Sequence, residues 1–303
     1  MTERVVAAVG AGSKSTRSRP GDWLDAILAD PTADAPRLVY ADHLAARGDP
    51  RGEFIHLQCA LGRTLGDEGL LAREAALLEQ HGASWLVELE HLREVEWRRG
   101  FPVKGSLGVR EFATSPACAR VPLEAVTLHG FTPQVVAALF KARPHPTVHA
   151  FALAGGFGDQ TCRALGAPLF AHAVTLDLSA GEYTSTALFD ELVKATFPRL
   201  RELDLSHTPL DDAQLARLST AKFWRRLDTL ALAGTPQLGP ASVTSLTSAT
   251  GLRTLRLSRE LDERWGVSLL KHAPRALRTV VASVETLPPS LRANLEKRFS
   301  FAA

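Results

Sequence analysis

From about residue 98 to residue 282 the apolar positions recur in one short figure. Its clearest copy is Leu200-Arg201-Glu202-Leu203-Asp204-Leu205, an LxxLxL run followed by a turn through Leu210 and then by Asp211 to Leu218 in helical spacing. The same skeleton returns at Leu227, Leu230, Leu232, at Leu252, Leu255, Leu257, and more weakly at Leu277, Val280, Ala282. Upstream it reads Ala173, Leu176, Leu178, then Val148, Phe151, Leu153, then Leu123, Val126, Leu128. One step earlier come Arg98, Phe101, Val103, where the first apolar position is lost. The copies begin at residues 98, 123, 148, 173, 200, 227, 252 and 277, so successive starts lie 25 or 27 residues apart. That evenness predicts eight strands.

Alternate side chains of a strand point to opposite faces, so the last two apolar residues of each copy enter a core. The following segment returns the chain and lays the next strand parallel to the last. One unit cannot bury its apolar face alone, whereas stacked neighbours share a core. Helix signals stand where the return path needs them: Asp211 or Asp212 as an N-cap, Thr132-Pro133 opening Gln134 to Lys141, and Pro240 opening a short helix through Leu246. The figure resembles the leucine-rich repeat, over about two thirds of the chain, with Thr208 and Thr235 where many members of that family carry Asn or Cys. The resemblance implies an α/β solenoid: a leucine-rich-repeat horseshoe of about eight parallel strands with helices on its convex side. The repeat lengths look closer to its intracellular subtypes.

Residues 22–96 lack the figure and read as a small all-α domain preceding the repeats. Helices are expected over Asp22 to Ala29, over Arg37 to Arg47 with Gly48 as its stop, and from Asp49-Pro50 through Leu61. Another runs from Leu70 to Gln80, with a break at His81-Gly82 and a further helix from Ser84. The stretch Ala29-Asp30-Pro31, Pro36 to Asp42 and Arg47 to Ile55, with Trp97-Arg98-Arg99-Gly100-Phe101 leading into the first repeat, resembles the bacterial repeat-companion domain found beside repeat arrays. That family implies architecture and no activity, and His43 departs from its more usual aromatic residue. The charged set Arg37, Asp42, Asp49, Arg51 and Glu53 reads as capping and intra-domain ion pairs. The remaining boundaries fall at 1–21, a disordered tail, 97–284, the repeats, and 285–303, a C-terminal capping helix carrying Leu291, Leu295 and Phe299.

Composition narrows the function. A net charge of +2 is too small for a surface that neutralises nucleic-acid phosphates. No segment approaches the apolar length of a membrane span, and the run Val5 to Val9 is too short for a signal-peptide core. Cys59, Cys118 and Cys162 are odd in number, scattered and set among apolar residues, which points to core thiols and a reducing compartment. A cytoplasmic location is the expectation.

Catalytic and cofactor signatures are missing: no GxSxG, P-loop, HExxH or dinucleotide fingerprint occurs. Gly155-Gly156-Phe157-Gly158 reads as a strand-to-helix turn. No enzyme activity, cofactor or metal is expected. The repeat register instead predicts which side chains line the concave sheet, beginning with Gly100, Pro102 and Lys104. Most are Ala, Ser or Thr, a shallow surface ill-suited to a small-molecule ligand. Asp177 and Asp204 hold equivalent positions on adjacent strands with Glu202 on the same face, Arg256 two strands further on and His129 upstream. These five residues form the candidate partner-binding site, and the expected partner is a protein offering a basic segment. Two alternatives stay open: an enzyme at the junction of the helical domain and first repeats, using His43, His56 or His129, and a self-associating structural module.

Overall fold

The computed structural model describes residues 20–64, 66–185 and 187–302, with side chains from residue 23. The expected tail lies outside the described residues except for Pro20 and Gly21, which open the first helix. Four helices come first: α1 (Pro20–Ala29), α2 (Ala35–Ala45), α3 (Pro50–Leu61) and α4 (Glu68–Trp85). Asp49 caps α3 by accepting from the Arg51 N–H at 2.9 Å, and Gly48 takes the left-handed φ of 74° that ends the turn after α2. The break expected at His81-Gly82 is absent, and α4 runs through it. A glycine costs a helix only about 1 kcal/mol. Here Trp85 packs on Phe54 at 4.8 Å and on Trp97 at 5.9 Å between ring centroids, which offsets that cost.

The strands are β1 (Arg93–Arg98), β2 (Phe101–Gly108), β3 (Ala125–His129), β4 (Ala150–Leu153), β5 (Gly155–Phe157), β6 (Thr175–Asp177), β7 (Gly181–Tyr183), β8 (Glu202–Asp204), β9 (Thr229–Ala231), β10 (Thr254–Glu260), β11 (Thr279–Ser283) and β12 (Ser300–Ala302). Ten of them form one sheet in the order β1-β2-β3-β4-β6-β8-β9-β10-β11-β12, and β5 pairs with β7 in a second, two-stranded sheet. This corrects the expected horseshoe. The fold is α/β with a ten-stranded mixed sheet rather than about eight parallel strands, and no solenoid is evident. The repeat period sets the interval between successive strands; it determines neither the edges of the sheet nor its curvature, and it was at the edges that strands were added.

One addition is β1, antiparallel to β2 with Arg98 opposite Phe101. Arg99 and Gly100 between them have φ of 51° and 82°, the positive pair that a two-residue hairpin turn demands. The stretch expected to be wholly helical to residue 96 thus ends in a strand. At the other edge β12 follows helix Pro289–Arg298 and lies parallel to β11. Gly155–Phe157, expected as a turn, is the strand β5.

From β3 to β11 the strands pair where the apolar figure predicts. Val126 is opposite Phe151, Phe151 opposite Leu176, Leu176 opposite Leu203, and so on through Leu230 and Leu255 to Val280. The first expected copy is out of phase. Gly105, not Phe101, lies opposite Val126, and Leu107, not Val103, lies opposite Leu128. A Cβ on Gly105 would meet Leu92 Cδ1 at 2.5 Å, so Leu92 fills the space that the figure assigns to an apolar side chain on β2. The residues on the open face of β2 are therefore Lys104, Ser106 and Gly108, and Gly100 and Pro102 are not among them.

A continuous aliphatic and aromatic core runs from Leu89 to Phe299, with the paired inner residues from Val126 to Val280 essentially inaccessible. Burying one such Leu or Phe contributes about 1.5–3 kcal/mol. The buried Thr208 and Thr235 hydroxyls donate to Leu205 O at 2.6 Å and Leu232 O at 2.7 Å, closing the turn after the strand. A smaller cluster of Ile27, Ala41, Leu44, Ile55, Cys59 and Phe101 holds the helices against the start of β2.

Candidate functional site

On the open face of the sheet, alternate residues of the strands from β3 to β11 are half-buried or exposed, apart from the buried Ala231. Asp177 and Asp204 are directly opposed Cα partners on β6 and β8, and Thr175 and Glu202 oppose each other one step earlier on the same face. Adjacent strands are about 4.8 Å apart, so three carboxylates occupy one small patch. The Glu202 Oε2 accepts from the Thr175 hydroxyl at 3.3 Å.

Each aspartate also performs a local task. Asp177 Oδ1 accepts from the Ser179 N–H and Asp204 Oδ1 from the Ser206 N–H, both at 2.8 Å. Such side-chain caps let a chain leave a strand in a tight turn. The identical Asp-Leu-Ser runs at 177–179 and 204–206 carried that signal. One oxygen of each carboxylate is thereby committed to backbone, and the other remains to meet a ligand.

The other two candidates stand apart. Ala231 lies between Asp204 and Arg256 in the register and is itself buried, so Arg256 is separated from the carboxylates by a whole strand. Exposed on β10, Arg256 makes no ion pair among the described residues. His129 is exposed at the end of β3 opposite Gly108, one step along the face beyond Thr127, the residue in register with Ala152 and Asp177. The structure therefore assembles Asp177, Glu202 and Asp204 and leaves Arg256 and His129 as outlying members of the same face. The described residues contain no group of three or more His, Cys, Asp or Glu side chains that could hold a metal ion.

At the junction of helices and sheet, the histidines weighed for catalysis do not converge. His56 Nε2 lies 2.9 Å from Asp42 Oδ1 on the surface, and His43 packs at a tilt against Trp23 with 4.1 Å between ring centroids. Neither of them, nor His129, lines the half-open cavity of about 480 Å³ at the junction. Its lining includes Tyr40, Arg51, Trp85, Glu88, Phe101 and Pro102.

The charged set of the helical region divides in two. Glu53 pairs with Arg73 at 2.6 Å, and this bidentate contact holds the Glu53 carboxyl below its ordinary range. Asp49 is a cap, as expected. Arg37 and Arg51 depart from the expected ion pairing: no carboxylate oxygen lies within 4.0 Å of either guanidinium among the described residues. Both stack on Phe101, at 5.6 and 5.0 Å from the ring centroid. Burial lowers the pKa of both.

All three cysteines are free and buried, and burial pushes the Cys59 and Cys162 thiols up to about 11. They are poor nucleophiles there. No described helix is long and apolar enough to cross a membrane. No family model matches the chain, and no curated protein matches it either.

Proposed function

We propose that this protein is a non-catalytic binding module that engages a protein partner through the open face of its ten-stranded sheet. The patch of Asp177, Glu202 and Asp204 meets a basic segment of that partner. The observation that carries this reading is the strand register, which sets two aspartates side by side with a glutamate next to them on a face of small residues. Like charges this close repel one another, and a lysine or arginine from a partner relieves that repulsion. Short neighbours such as Ala150, Ala152 and Thr229 let a partner's backbone approach closely. The resemblance of residues 123–282 to leucine-rich repeats points the same way, by analogy only. The separate resemblance of residues 29–55 and 97–101 supports a repeat-companion role for the helices, and the three scattered core thiols support a cytoplasmic site of action.

The test is affinity capture from native lysate with the wild-type chain and with Asp177→Lys/Asp204→Lys, after circular dichroism shows that both fold alike. A protein retained by the wild type, released by moderate salt and lost from the double variant supports the reading. The same protein captured equally by both baits moves the site off this face. Capture of nothing by either bait overturns the binding proposal.

A further inference from the structure

The junction cavity has no part in the face proposed above, and it carries a site of its own. We infer that it binds a small anionic molecule with a flat apolar body, an aromatic carboxylate, whose negative group sits on Arg51. The inference is independent of the partner-binding reading, and either can fail alone.

Arg51 is the one arginine of α3 and lines this cavity. It is the second residue of α3, so its guanidinium stands at the positive end of a twelve-residue helix. Among the described residues its buried Nε has no hydrogen-bond partner, and the guanidinium's one hydrogen bond is a long Nη2 donation to Gly100 O at 3.4 Å. A buried donor left unmade costs about 1–3 kcal/mol and more when charged, so a fold keeps one only where something offsets the cost. The side chain lines the cavity. A guanidinium's free edge presents parallel N–H donors, the geometry that a carboxylate fills with two bonds.

The acids near the cavity do not occupy this position. Asp49 turns Oδ1 onto the Arg51 backbone N–H at 2.9 Å, and Glu88 is exposed at the rim. Arg120, also exposed at the rim, adds a second positive charge. The remaining lining is mixed: Tyr40, Trp85, Leu89 and Phe101 supply apolar and aromatic surface, and Ser84 stands among them as a neutral polar side chain. A volume of about 480 Å³ falls within the range of small-molecule pockets, and an aromatic body beside one convergent charge is the usual division of labour in them.

The probes are 2-naphthoate, its neutral amide 2-naphthamide, and inorganic phosphate, measured by calorimetry and by ligand-observed NMR on the full chain. The expected result is saturable 2-naphthoate binding in about the millimolar range or tighter. Naphthamide should bind about tenfold more weakly, and phosphate alone should not saturate. Arg51→Met, which keeps an apolar stem over Phe101, should bring naphthoate down to the affinity of the amide and leave the amide unchanged. Should that variant not fold, Ala117→Phe, placed at the half-exposed rim, should abolish binding of both aromatic probes by filling the mouth. Equal affinity for acid and amide, undiminished naphthoate binding in either variant, or no saturation by naphthoate at about 10 mM would overturn the assignment. Saturable phosphate binding lost in Arg51→Met would also overturn it, by showing a bare anion site.

Discussion

The two halves of this molecule are held together by different physics. From β3 to β11 the structure is one aliphatic and aromatic core in which successive strands repeat the same contacts, so each layer supports its neighbours. Some of its internal polar groups are satisfied close by in the chain, as the Thr208 and Thr235 hydroxyls are, and others by the neighbouring layer, as His145 is by Cys118 O. The helical half has a much smaller apolar cluster and relies on long-range polar couplings. Arg37 and Arg51 share one face-on partner in Phe101, Arg63 and Arg99 converge on Asp34, and Gln58 Oε1 accepts from the Gly100 N–H at 2.6 Å. The hairpin of β1 and β2 is the seam, giving Phe101 to the small cluster and Leu107 to the large one. Redundancy along the repeats and specificity at the seam should therefore fail in different ways.

The largest effect should come from Phe151→Ala. This ring is fully buried mid-sheet and packs edge-on against Phe170 at 5.1 Å and Phe112 at 6.3 Å. Its removal should cost about 3–5 kcal/mol in denaturant titrations. Because neighbouring layers share the core, the loss should appear as an earlier transition for the whole sheet; a change confined to β4 would break the comparison. Gly100→Ala should come next, at about 2–4 kcal/mol. Its φ of 82° suits glycine, and a Cβ there would meet Ile55 Cγ1 at 2.1 Å. Here the damage should be local: hydrogen exchange should quicken in α2 and α3 while β6 to β11 keep their protection. Uniform loss of protection would show that the two halves unfold as one.

The same contrast explains what was legible in the sequence. A core built from one repeated contact writes its period into the chain, and the inner residues from Val126 to Val280 could be named from spacing alone. The facing of Asp177, Asp204 and Glu202 followed from that register. What spacing could not show were departures from repetition. Gly105 occupies an inner position with no side chain, Arg99-Gly100 turns the chain back as a hairpin, and β12 arises after the last recognisable unit. The antiparallel β1 turns an expected parallel array into a mixed sheet, and β12 extends it in parallel. In the helical half the residues Arg37 and Arg51 were visible as charges, yet their stacking depends on where Phe101 lies, beyond the end of α4 at Trp85 and past the hairpin turn. The junction cavity was illegible for the same reason: its walls come from segments that only the folded seam brings together.

The smallest predicted effect tests whether the repeat half is as free of titrating groups as its core suggests. His145 is buried between two layers, stacked on Phe112 at 5.6 Å. Its Nε2 donates to Cys118 O at 2.8 Å, while Nδ1 accepts from the Thr147 and Val148 N–H groups at 3.3 Å. Both ring nitrogens are thus used in the neutral form, and a proton on Nδ1 would face two backbone donors. Burial accordingly holds the imidazole below its ordinary value of 6.5, with the hydrogen bond to Cys118 O opposing that shift only partly. Below pH 6.5 the unfolded chain then binds a proton that the folded chain still refuses. The stability due to this neutral histidine is complete above pH 6.5, declines as pH falls, and levels off once pH passes the lowered folded value. Denaturation midpoints measured between about pH 7.5 and 5 should fall more steeply for the wild type than for His145→Gln, whose amide does not titrate over that range. Parallel curves would mean that His145 takes up its proton in place, and that the layer beneath Cys118 is more open to water than its packing implies.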